Sequence, residues 1–311
     1  MKSIKIGVDI VNWEWNQVKK NVLYYEKQGF DSVWVMDHLW WKIFDYNCLE
    51  CWTTLSALAS ITKRIRLGPL VSSNIYRYPA LLAKIAATFD VISNGRLDLG
   101  IGTGWFEEEC AAYGIPFPSP AVRVAGLSDS IKIMKKMWIE DKATYNGKYY
   151  QVKDAICEPK PIQKPFPPIW IGGKEKNMLK LAAKEADGIN FYGTIEDFKN
   201  RYKTLNKFCS KIGRDYDEIK KSWTGDVIMA LDKNKLDLKI RKLYPLRGGG
   251  KSLEYYIKRN LTGTPDDILL QIEEYASIGV EYFWPGIEPP RTIITPAEKR
   301  MFIDEVVKKV K

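Results

Sequence analysis

The chain has 311 residues, of which 45% are hydrophobic and 28% are charged, a balance typical of a globular protein rather than a disordered or fibrous one. The formal charge is +10, but the 48 lysines and arginines are spread along the chain without the basic stripe of a nucleic-acid-binding surface. We therefore expect no nucleic-acid partner, and we interpret the excess of lysine as a solvated surface rather than as a general attraction for anionic ligands.

Short β-branched runs alternate with longer helical patterns in the first half of the chain, which is typical of a parallel sheet built from βα units. The predicted strands are KIGVDI (5–10), SVWVMD (32–37), IRLGPLVSS (65–73) and RLDLGIGTG (96–104). Helical patterns follow at about 16–28, 51–62 and 79–92, and further helix extends to Trp138. Pro79 occupies the first turn of the third helix, where proline is tolerated.

The second half repeats this rhythm and completes a count of eight strands. Its predicted strands are PIWIGG (168–173), GINFYG (188–193), WTGDVIMAL (223–231) and VEYFWPGI (280–287). A terminal helix is expected at about 295–310. Eight βα units favour a closed α/β barrel of the (β/α)8 TIM type, formed by residues 1–311 as one domain, over an open doubly wound sheet, which stays the alternative.

Two segments interrupt the alternation. Residues 140–167, rich in aromatic residues, glycine and proline, lie between the fourth helix and the fifth strand, and residues 241–264 lie between the seventh strand and its helix. We expect both insertions near the C-terminal rim of the barrel, where long loops tend to carry function. Three consecutive glycines, 248–250, fit a mobile lid and a flexible surface loop equally well.

The chain contains five cysteines, and its N-terminal sequence MKSIKIGVDI leads directly into a strand pattern. An odd number of cysteines and the lack of a leader favour a reducing, cytoplasmic location. Cys48 and Cys51 form a CxxC pair without the further ligands of a zinc site, so we expect no metal; a redox dithiol is the less favoured alternative. No apolar run approaches the roughly 18 residues of a membrane span, so we expect no membrane association.

His38 is the only histidine in the chain, and it follows Asp37 at the predicted C-terminal end of the second strand. In a TIM barrel this end forms the rim that carries catalytic residues. A lone histidine usually caps or packs, but the rim position, the adjacent carboxylate and the neighbouring Trp40 and Trp41 favour a general base or a hydrogen-bond donor here. His38 is therefore the candidate acid/base residue.

Glycines and acidic residues follow the fourth and fifth predicted strands. In LGIGTGWFEEEC (99–110), glycines permit close approach of a ligand to the backbone, and the three glutamates 107–109 occupy the first turn of the next helix, where they cap it or serve chemistry. In WIGGKEKN (170–177), paired glycines and Lys174 precede a helix start and form either a phosphate cradle or a tight turn.

Four motifs combine into a family resemblance: DH after the second strand, LVSSNIYRYPALLAKIAATFDVISNGRLDLGIGTGW across the third and fourth strands, YGIPFPS after them and IWIGG at the fifth. With GTPDDILLQIEEYASIGVEYF (263–283), nearly the whole chain resembles the bacterial luciferase-like family of flavin and deazaflavin oxidoreductases. The resemblance implies an α/β barrel enzyme, usually a homodimer, that binds FMN or coenzyme F420 at the C-terminal rim and acts on a small-molecule substrate.

The resemblance also implies which residues hold the cofactor. The residues at the matching positions for the ring and ribityl chain are Asp37, His38, Leu70, Val71, Ser72, Ser73, Thr103 and Gly104, and those for the phosphate are Gly172 and Gly173. Many relatives have a non-proline cis peptide bond at the end of strand three, which corresponds here to the bond between Leu70 and Val71.

The Asp37–His38 pair favours the F420-dependent branch, in which a histidine at this place handles the substrate proton while the deazaflavin carries the hydride. Sugar-phosphate-oxidising members have a glutamate directly after GTG, where this chain has Trp105, so a catalytic carboxylate is expected from Glu107 or Glu108. The expected substrate pocket is lined by Asn12, Trp40, Trp41 and Trp105. Such a pocket suits an alcohol, a carbonyl compound or a conjugated ring such as an enone better than a sugar.

Three functions are compatible with these residues. We favour an F420-dependent oxidoreductase that transfers a hydride between the deazaflavin coenzyme and a small organic substrate. The first alternative is an FMN-dependent luciferase-like monooxygenase that uses O2 and reduced flavin supplied by a partner reductase. The second is a non-catalytic flavin-binding protein descended from such enzymes.

Overall fold

A ring of parallel strands surrounded by helices forms the body of the protein. The computed structural model describes residues 3–11, 13–41 and 47–311. Its strands are β1 (Lys5–Ile10), β2 (Ser32–Val35), β3 (Arg66–Pro69), β4 (Ser72–Ser73), β5 (Leu99–Gly102), β6 (Ala143–Asn146), β7 (Gln151–Ala155), β8 (Ile169–Gly172), β9 (Gly188–Phe191), β10 (Lys220–Met229), β11 (Leu261–Gly263) and β12 (Tyr282–Gly286). Its α-helices are α1 (Trp15–Lys27), α2 (Cys51–Ile61), α3 (Pro79–Ile92), α4 (Glu107–Ala112), α5 (Pro120–Ile139), α6 (Lys176–Glu185), α7 (Ile195–Lys211), α8 (Lys233–Arg247), α9 (Leu253–Arg259), α10 (Pro265–Ser277), α11 (Pro296–Phe302) and α12 (Lys308–Val310).

The strands close into the predicted barrel. Neighbouring strands follow the order β3, β2, β1, β12, β10, β9, β8, β5, β4, and every pair along this path is parallel. β3 and β4 are the two halves of the predicted third strand, and the ring closes where β4 pairs with β5 and Leu67 bridges to Leu97. The eight predicted strand positions and the closed barrel are thereby confirmed over the open sheet.

The two faces of the barrel strands carry different residues because successive side chains point to opposite sides. On β1, Ile6 faces the hydrophobic layer beneath the helices, whereas a side chain at Gly7 would collide with Trp284 inside the barrel. Trp34, Trp170 and Trp284 fill the interior, and the ring centroids of Trp34 and Trp284 lie 3.7 Å apart. The barrel is therefore a packed core, and a ligand site has to lie above this layer at the C-terminal rim.

Most helices begin and end where the sequence patterns indicate. α3 starts at Pro79 and ends at Ile92, and α1 and α2 lie close to the predicted stretches. The C-terminal helical stretch is less regular than expected, because residues 303–307 between α11 and α12 form a π-helical turn. None of the helices in the described ranges is long and apolar enough to cross a membrane.

The first insertion, residues 140–167, contains an antiparallel hairpin of β6 and β7 outside the barrel. It leaves the end of α5 and so starts at the N-terminal face of the barrel, whereas the sequence led us to expect it at the rim. Its tip approaches the rim side, since the ring of Tyr150 lies 5.5 Å from that of Tyr78, which precedes α3. Asp129 on α5 holds the tip by accepting a hydrogen bond from the backbone of Tyr149.

The second insertion, residues 241–264, is mostly helical. It contains the end of α8, the short helix α9 and β11, which pairs with β10. Arg247, the last residue of α8, forms an ion pair with Asp226 on β10, and Asp226 also pairs with Arg291, which reaches Asp9 on β1. The end of α8 is therefore anchored to the barrel strands, and the three glycines form the turn between two helices.

Candidate active site

His38 lies at the C-terminal end of β2, on the barrel rim, as its sequence position predicts. All four residues of β2 are buried between the helices and the barrel interior, which fixes the direction in which the strand ends. Only 9% of His38 is exposed. Its Nδ1 atom lies 3.0 Å from Oε2 of Glu109, a fully buried residue on α4. The structure thus pairs the only histidine with one carboxylate.

Glu109 gathers four hydrogen-bond donors. Besides His38, its carboxylate accepts hydrogen bonds from the backbone N–H groups of Leu39 and Trp40 and from the hydroxyl of Tyr76. Burial raises the pKa of Glu109, but the hydrogen bonds from His38, Tyr76 and Leu39 outweigh burial and lower the pKa below its ordinary value of 4.5. Glu109 is therefore an ionised acceptor at neutral pH, and His38 donates the proton on Nδ1 to it.

Glu107 and Glu108, the carboxylates expected from the sequence, are exposed on the first turn of α4. The third glutamate of the run, Glu109, is the one that contacts His38. A helix turns by about 100° per residue, so three consecutive glutamates point in different directions and only one faces β2. The available sequence signal was Cys110, because an apolar residue next to Glu109 marks the inner face of this helix, and both residues are buried.

Aromatic rings surround His38. Its ring centroid lies 4.6 Å from that of Trp41, 5.4 Å from that of Trp105 and 6.1 Å from that of Phe106. Trp40 joins this group through Phe106, at 5.0 Å between centroids. We call Trp40, Trp41, Trp105 and Phe106 the aromatic wall. Trp105 is 62% exposed and forms its outer edge. The structure brings the three predicted tryptophans together and adds Phe106, which the sequence reasoning missed.

Asp37 holds the segment of β4 in place. One of its oxygens accepts hydrogen bonds from the hydroxyl of Ser72 at 3.2 Å and the N–H of Ser73 at 2.9 Å, and Arg77 binds both oxygens, at 2.7 and 3.0 Å. Arg77 also pairs with Glu50. Because Asp37 is 4% exposed and both its oxygens are engaged, it supports Ser72 and Ser73 and is not placed to act as an acid or a base.

Replacement of Asp37 by asparagine is expected to lower the free energy of unfolding by about 1–3 kcal/mol, because the amide NH2 would face donors of Ser73 or Arg77 and leave a buried donor unsatisfied. Glu50→Gln is the matched control: Glu50 is the more exposed partner of the same arginine, and its replacement should cost less than about 1 kcal/mol. Urea unfolding measures both losses. Equal losses in the two variants would contradict the supporting role of Asp37.

The predicted cis peptide bond is present between Leu70 and Val71, at the junction of β3 and β4. Leu70 packs on the tryptophan layer inside the barrel, and Val71 covers the glycines at the ends of β5 and β8. A Cβ atom at Gly102 would lie 2.8 Å from a methyl group of Val71, and one at Gly172 would lie 3.0 Å away. Both positions therefore require glycine so that Val71 fits against the backbone.

Two buried polar atoms at the end of β4 have no partner within the described part of the chain. Ser73 Oγ and Asn74 Oδ1 have no hydrogen-bond partner among the described residues. Gly104, at φ +76°, passes so close that a Cβ atom there would lie 2.8 Å from Ser73 Oγ. Thr103 is half-buried next to it. Buried polar atoms are nearly always hydrogen-bonded, so the unpartnered hydroxyl oxygen of Ser73 beside the half-buried Gly104 fits a polar group of a bound cofactor.

Gly173, one of the two residues predicted for a phosphate, has no free N–H group. The N–H of Gly173 donates to the carbonyl oxygen of Asn190 on β9 at 3.2 Å, so it is already used. α6 begins at Lys176, and no side chain caps its first N–H groups. Together with Lys174, these groups offer the donors and the positive charge that an anion requires. Gly173, at φ +135°, forms the turn that leads to them.

Cys48 and Cys51 form no disulfide: their thiols donate hydrogen bonds to the carbonyl oxygens of His38 and Val35, respectively, and burial raises the pKa of the Cys51 thiol. Across residues 3–11, 13–41 and 47–311, no group of three or more histidine, cysteine, aspartate or glutamate side chains could hold a metal ion. Asn12, which we predict in the substrate pocket, lies outside the described residues.

A parallel barrel with a glycine-lined rim and a non-proline cis peptide bond defines a class of proteins. Comparison of the sequence with known families identifies this class. The model of the luciferase-like monooxygenase family matches residues 7–254. The chain therefore belongs to this family, as its motifs predict. The matched segment contains all the residues of the site described above.

Curated relatives match parts of the chain. An F420-dependent glucose-6-phosphate dehydrogenase from Kineococcus radiotolerans is 36% identical over 165 residues, 52% of this chain and 48% of that protein. A relative of the same name from Microbacterium testaceum is 34% identical over 221 residues, 68% of this chain and 65% of that protein. One from Segniliparus rotundus is 28% identical over 83% of each chain. The chain thus spans about half the length of the Kineococcus relative.

Solved structures share the fold at low sequence identity. A coenzyme F420 dependent tetrahydromethanopterin reductase from Methanopyrus kandleri has a TM-score of 0.81 at 21% identity, covering 99% of this chain and 100% of that one. An F420-dependent secondary alcohol dehydrogenase in complex with an F420-acetone adduct has a TM-score of 0.84 at 21% identity, and the match covers 99% of this chain and 98% of that one. A monooxygenase from Streptomyces bottropensis has a TM-score of 0.80 at 19% identity, and the match covers 99% of this chain and 100% of that one. These likenesses establish the barrel fold.

Proposed function

We propose that this protein is an F420-dependent oxidoreductase that transfers a hydride between the deazaflavin coenzyme and a small organic substrate. The observation that carries the proposal is the single histidine, held by the buried Glu109 on the rim beside a glycine-lined cradle that contains the unpartnered hydroxyl of Ser73. The curated relatives named as F420-dependent dehydrogenases support the choice of cofactor. Membership of the luciferase-like family supports redox chemistry.

His38 is the acid/base residue of the proposed reaction. The Nδ1–H group of His38 donates a hydrogen bond to Glu109. Nε2 is therefore available to take the proton of a substrate hydroxyl during oxidation or to return it to a carbonyl oxygen during reduction. The ionised Glu109 also compensates the positive charge that the imidazole gains when it takes the proton. Trp41 and Trp105 cover the ring and limit the access of water to it.

The residues of the rim suit a deazaflavin that carries a phosphate. When bound, F420 supplies a ring carbon that gives or takes a hydride, so the protein has to provide position and one acid/base group. Ser73 would offer its unpartnered hydroxyl oxygen to a polar group of the ring or ribityl chain, Val71 would offer an apolar surface, and Gly104 leaves room. Lys174 and the first N–H groups of α6 would hold the phosphate.

The aromatic wall favours an alcohol, a carbonyl compound or an enone over a sugar. Trp41, Trp105 and Phe106 lie around His38, where the substrate has to place its reacting oxygen. Sugar hydroxyls lose free energy when they are buried without hydrogen-bond partners, and aromatic rings offer few. The proposed substrate class therefore differs from glucose 6-phosphate, for which several curated relatives are named.

An FMN-dependent monooxygenase is the second candidate, because the matched family is named for monooxygenases and one such structure shares the barrel. The apolar surface of Val71 and the phosphate site at α6 accommodate FMN as well. In that case His38 would form a hydrogen bond to the bound flavin, and a partner reductase would supply the reduced flavin.

Titration of the purified protein with oxidised F420 and, separately, with FMN tests the proposal. Both ligands should quench tryptophan fluorescence, since Trp41 and Trp105 border the site. We expect F420 to bind at least about tenfold more tightly, because it extends beyond its phosphate with further carboxylates that the lysine-rich α6 attracts.

Tighter binding of FMN, together with turnover that consumes O2, would place the protein among the monooxygenases. Tight binding of F420 without any change in its absorbance across a panel of alcohols and enones would favour a non-catalytic binding protein. A homodimer in the cytoplasm stays a prediction, which size-exclusion chromatography with light scattering tests for the oligomeric state.

A further inference from the structure

A lysine-rich groove runs between α6 and α7 on the outside of the barrel. Phe208 contributes to its apolar floor, and six exposed lysines line it: Lys176, Lys180 and Lys184 on α6 and Lys203, Lys207 and Lys211 on α7. It encloses about 560 Å³ beside the start of α6 and about 160 Å³ further along this helix. We call these residues the lysine groove.

The six lysines have no ion-pair partner among the described residues, whereas several other helical lysines pair with a glutamate or aspartate one turn away. Two carboxylates near the groove are engaged elsewhere: Glu185 pairs with Lys135 at 3.0 Å, and Asp197 caps α7 and pairs with Arg201. Lysines one turn apart on a helix repel each other and destabilise it. The concentration of positive charge therefore needs a reason other than the stability of the two helices.

The groove starts where the proposed phosphate site ends. Lys176 is the first residue of α6 and follows Lys174 closely in the chain. At a rise of about 1.5 Å per residue, the stretch of α6 from Lys176 to Lys184 is about 12 Å long. A short chain of carboxylates that leaves a phosphate at the rim therefore enters the groove directly and meets a lysine at each turn of the helix.

We propose that the lysine groove binds the anionic tail of coenzyme F420, a chain of glutamates that continues from the phosphate. This inference rests on the proposed function. Each glutamyl unit adds a carboxylate, so the charges of tail and groove are complementary. FMN ends at its phosphate and has nothing to place in the groove, which makes the groove a determinant of cofactor choice as well as of affinity.

The test compares F420 with its deazariboflavin fragment, which lacks both the phosphate and the glutamate tail, by calorimetric titration at low and high salt. The groove variant is Lys180→Glu/Lys184→Glu/Lys207→Glu. The control, Lys19→Glu/Lys20→Glu/Lys132→Glu, changes the net charge equally at exposed positions on α1 and α5. We expect the groove variant to bind F420 about tenfold more weakly at low salt and with a much smaller loss at high salt, while its Kd for deazariboflavin is unchanged.

The control is expected to bind both ligands as the wild type does. Equal weakening of F420 binding in both variants, or an unchanged F420 affinity in the groove variant, would overturn the proposal. Failure of the wild type to bind F420 would instead refute the proposed function, so the two failures are distinguishable. If charge reversal impairs folding, Lys180→Gln/Lys184→Gln/Lys207→Gln should show the same selective loss of F420 affinity to a smaller extent.

Discussion

Replacing His38 with alanine is expected to lower turnover by about 100-fold or more, while the Kd of F420 changes by less than about threefold. The chain has no second histidine that could take over the proton. The cofactor cradle around Ser73 and Gly104 is held by Asp37 and the backbone and does not depend on the imidazole. Turnover is followed by the absorbance of F420 with an alcohol or enone that the wild type accepts, and the Kd by fluorescence titration.

Adding imidazole to the His38→Ala variant distinguishes a chemical role of His38 from a structural one, because free imidazole can restore turnover only if the side chain takes part in the reaction. The deleted side chain leaves space between Trp41 and Trp105, so free imidazole should restore part of the turnover. Thermal unfolding of the variant checks that the barrel is intact. Wild-type turnover in the variant would exclude His38 from the chemistry and, with it, the proposed mechanism.

The barrel was predictable because each of its strands has a local signature. The run SVWVMD is apolar and β-branched at its start, and all four residues of β2 are buried. Proline at the first turn placed the beginning of α3. The second insertion lacked such signals: Pro245 lies inside α8, and three glycines follow the helix. Its helical structure depends on contacts such as the ion pair of Arg247 with Asp226, which no local pattern contains.

The sequence could predict a residue of the candidate active site only where the position of that residue at the end of a strand is enough to place it on the rim. The ends of strands identified His38, but the choice among three consecutive glutamates depends on which side of α4 is buried. The donors of Glu109 include Tyr76, which lies in another motif of the chain. Likewise, Asp37 was expected at the cofactor ring, and its partner Arg77 is 40 residues away. Contacts between side chains remote in sequence require the fold.

The lysine excess shows the same limit. From composition, we interpret it as a solvated surface, and the spacing of lysines along α6 and α7 is visible in the sequence. Only the structure reveals that lysines of both helices line one groove and that α6 begins at the proposed phosphate site. Some of the surplus lysines are therefore candidates for binding an anion, rather than only part of a solvated surface.

Glu109→Gln is expected to lower turnover by about 10- to 100-fold without a comparable change in the Kd of F420. The amide nitrogen would face one of the donors of Glu109, and the imidazole of His38 would lose the carboxylate that fixes its tautomer and balances its charge. Tyr76→Phe is the matched control, because it removes one donor but keeps the carboxylate, and it should cost less than about fivefold in turnover. Separate values of kcat and KM show whether the loss lies in the reaction or in substrate binding.

The pH dependence of stability provides an independent test of the ionised carboxylate. The pKa of Glu109 is lowered in the folded protein, so its contribution to stability is present above the ordinary value of 4.5 and is lost as pH falls through the lower, folded-state pKa. The difference in the free energy of unfolding between wild type and Glu109→Gln should therefore be larger at about pH 7 than under strongly acidic conditions, as urea unfolding measures. A pH-independent difference combined with wild-type turnover would show that Glu109 neither carries the charge nor orients His38, because both roles require the ionised carboxylate at the imidazole.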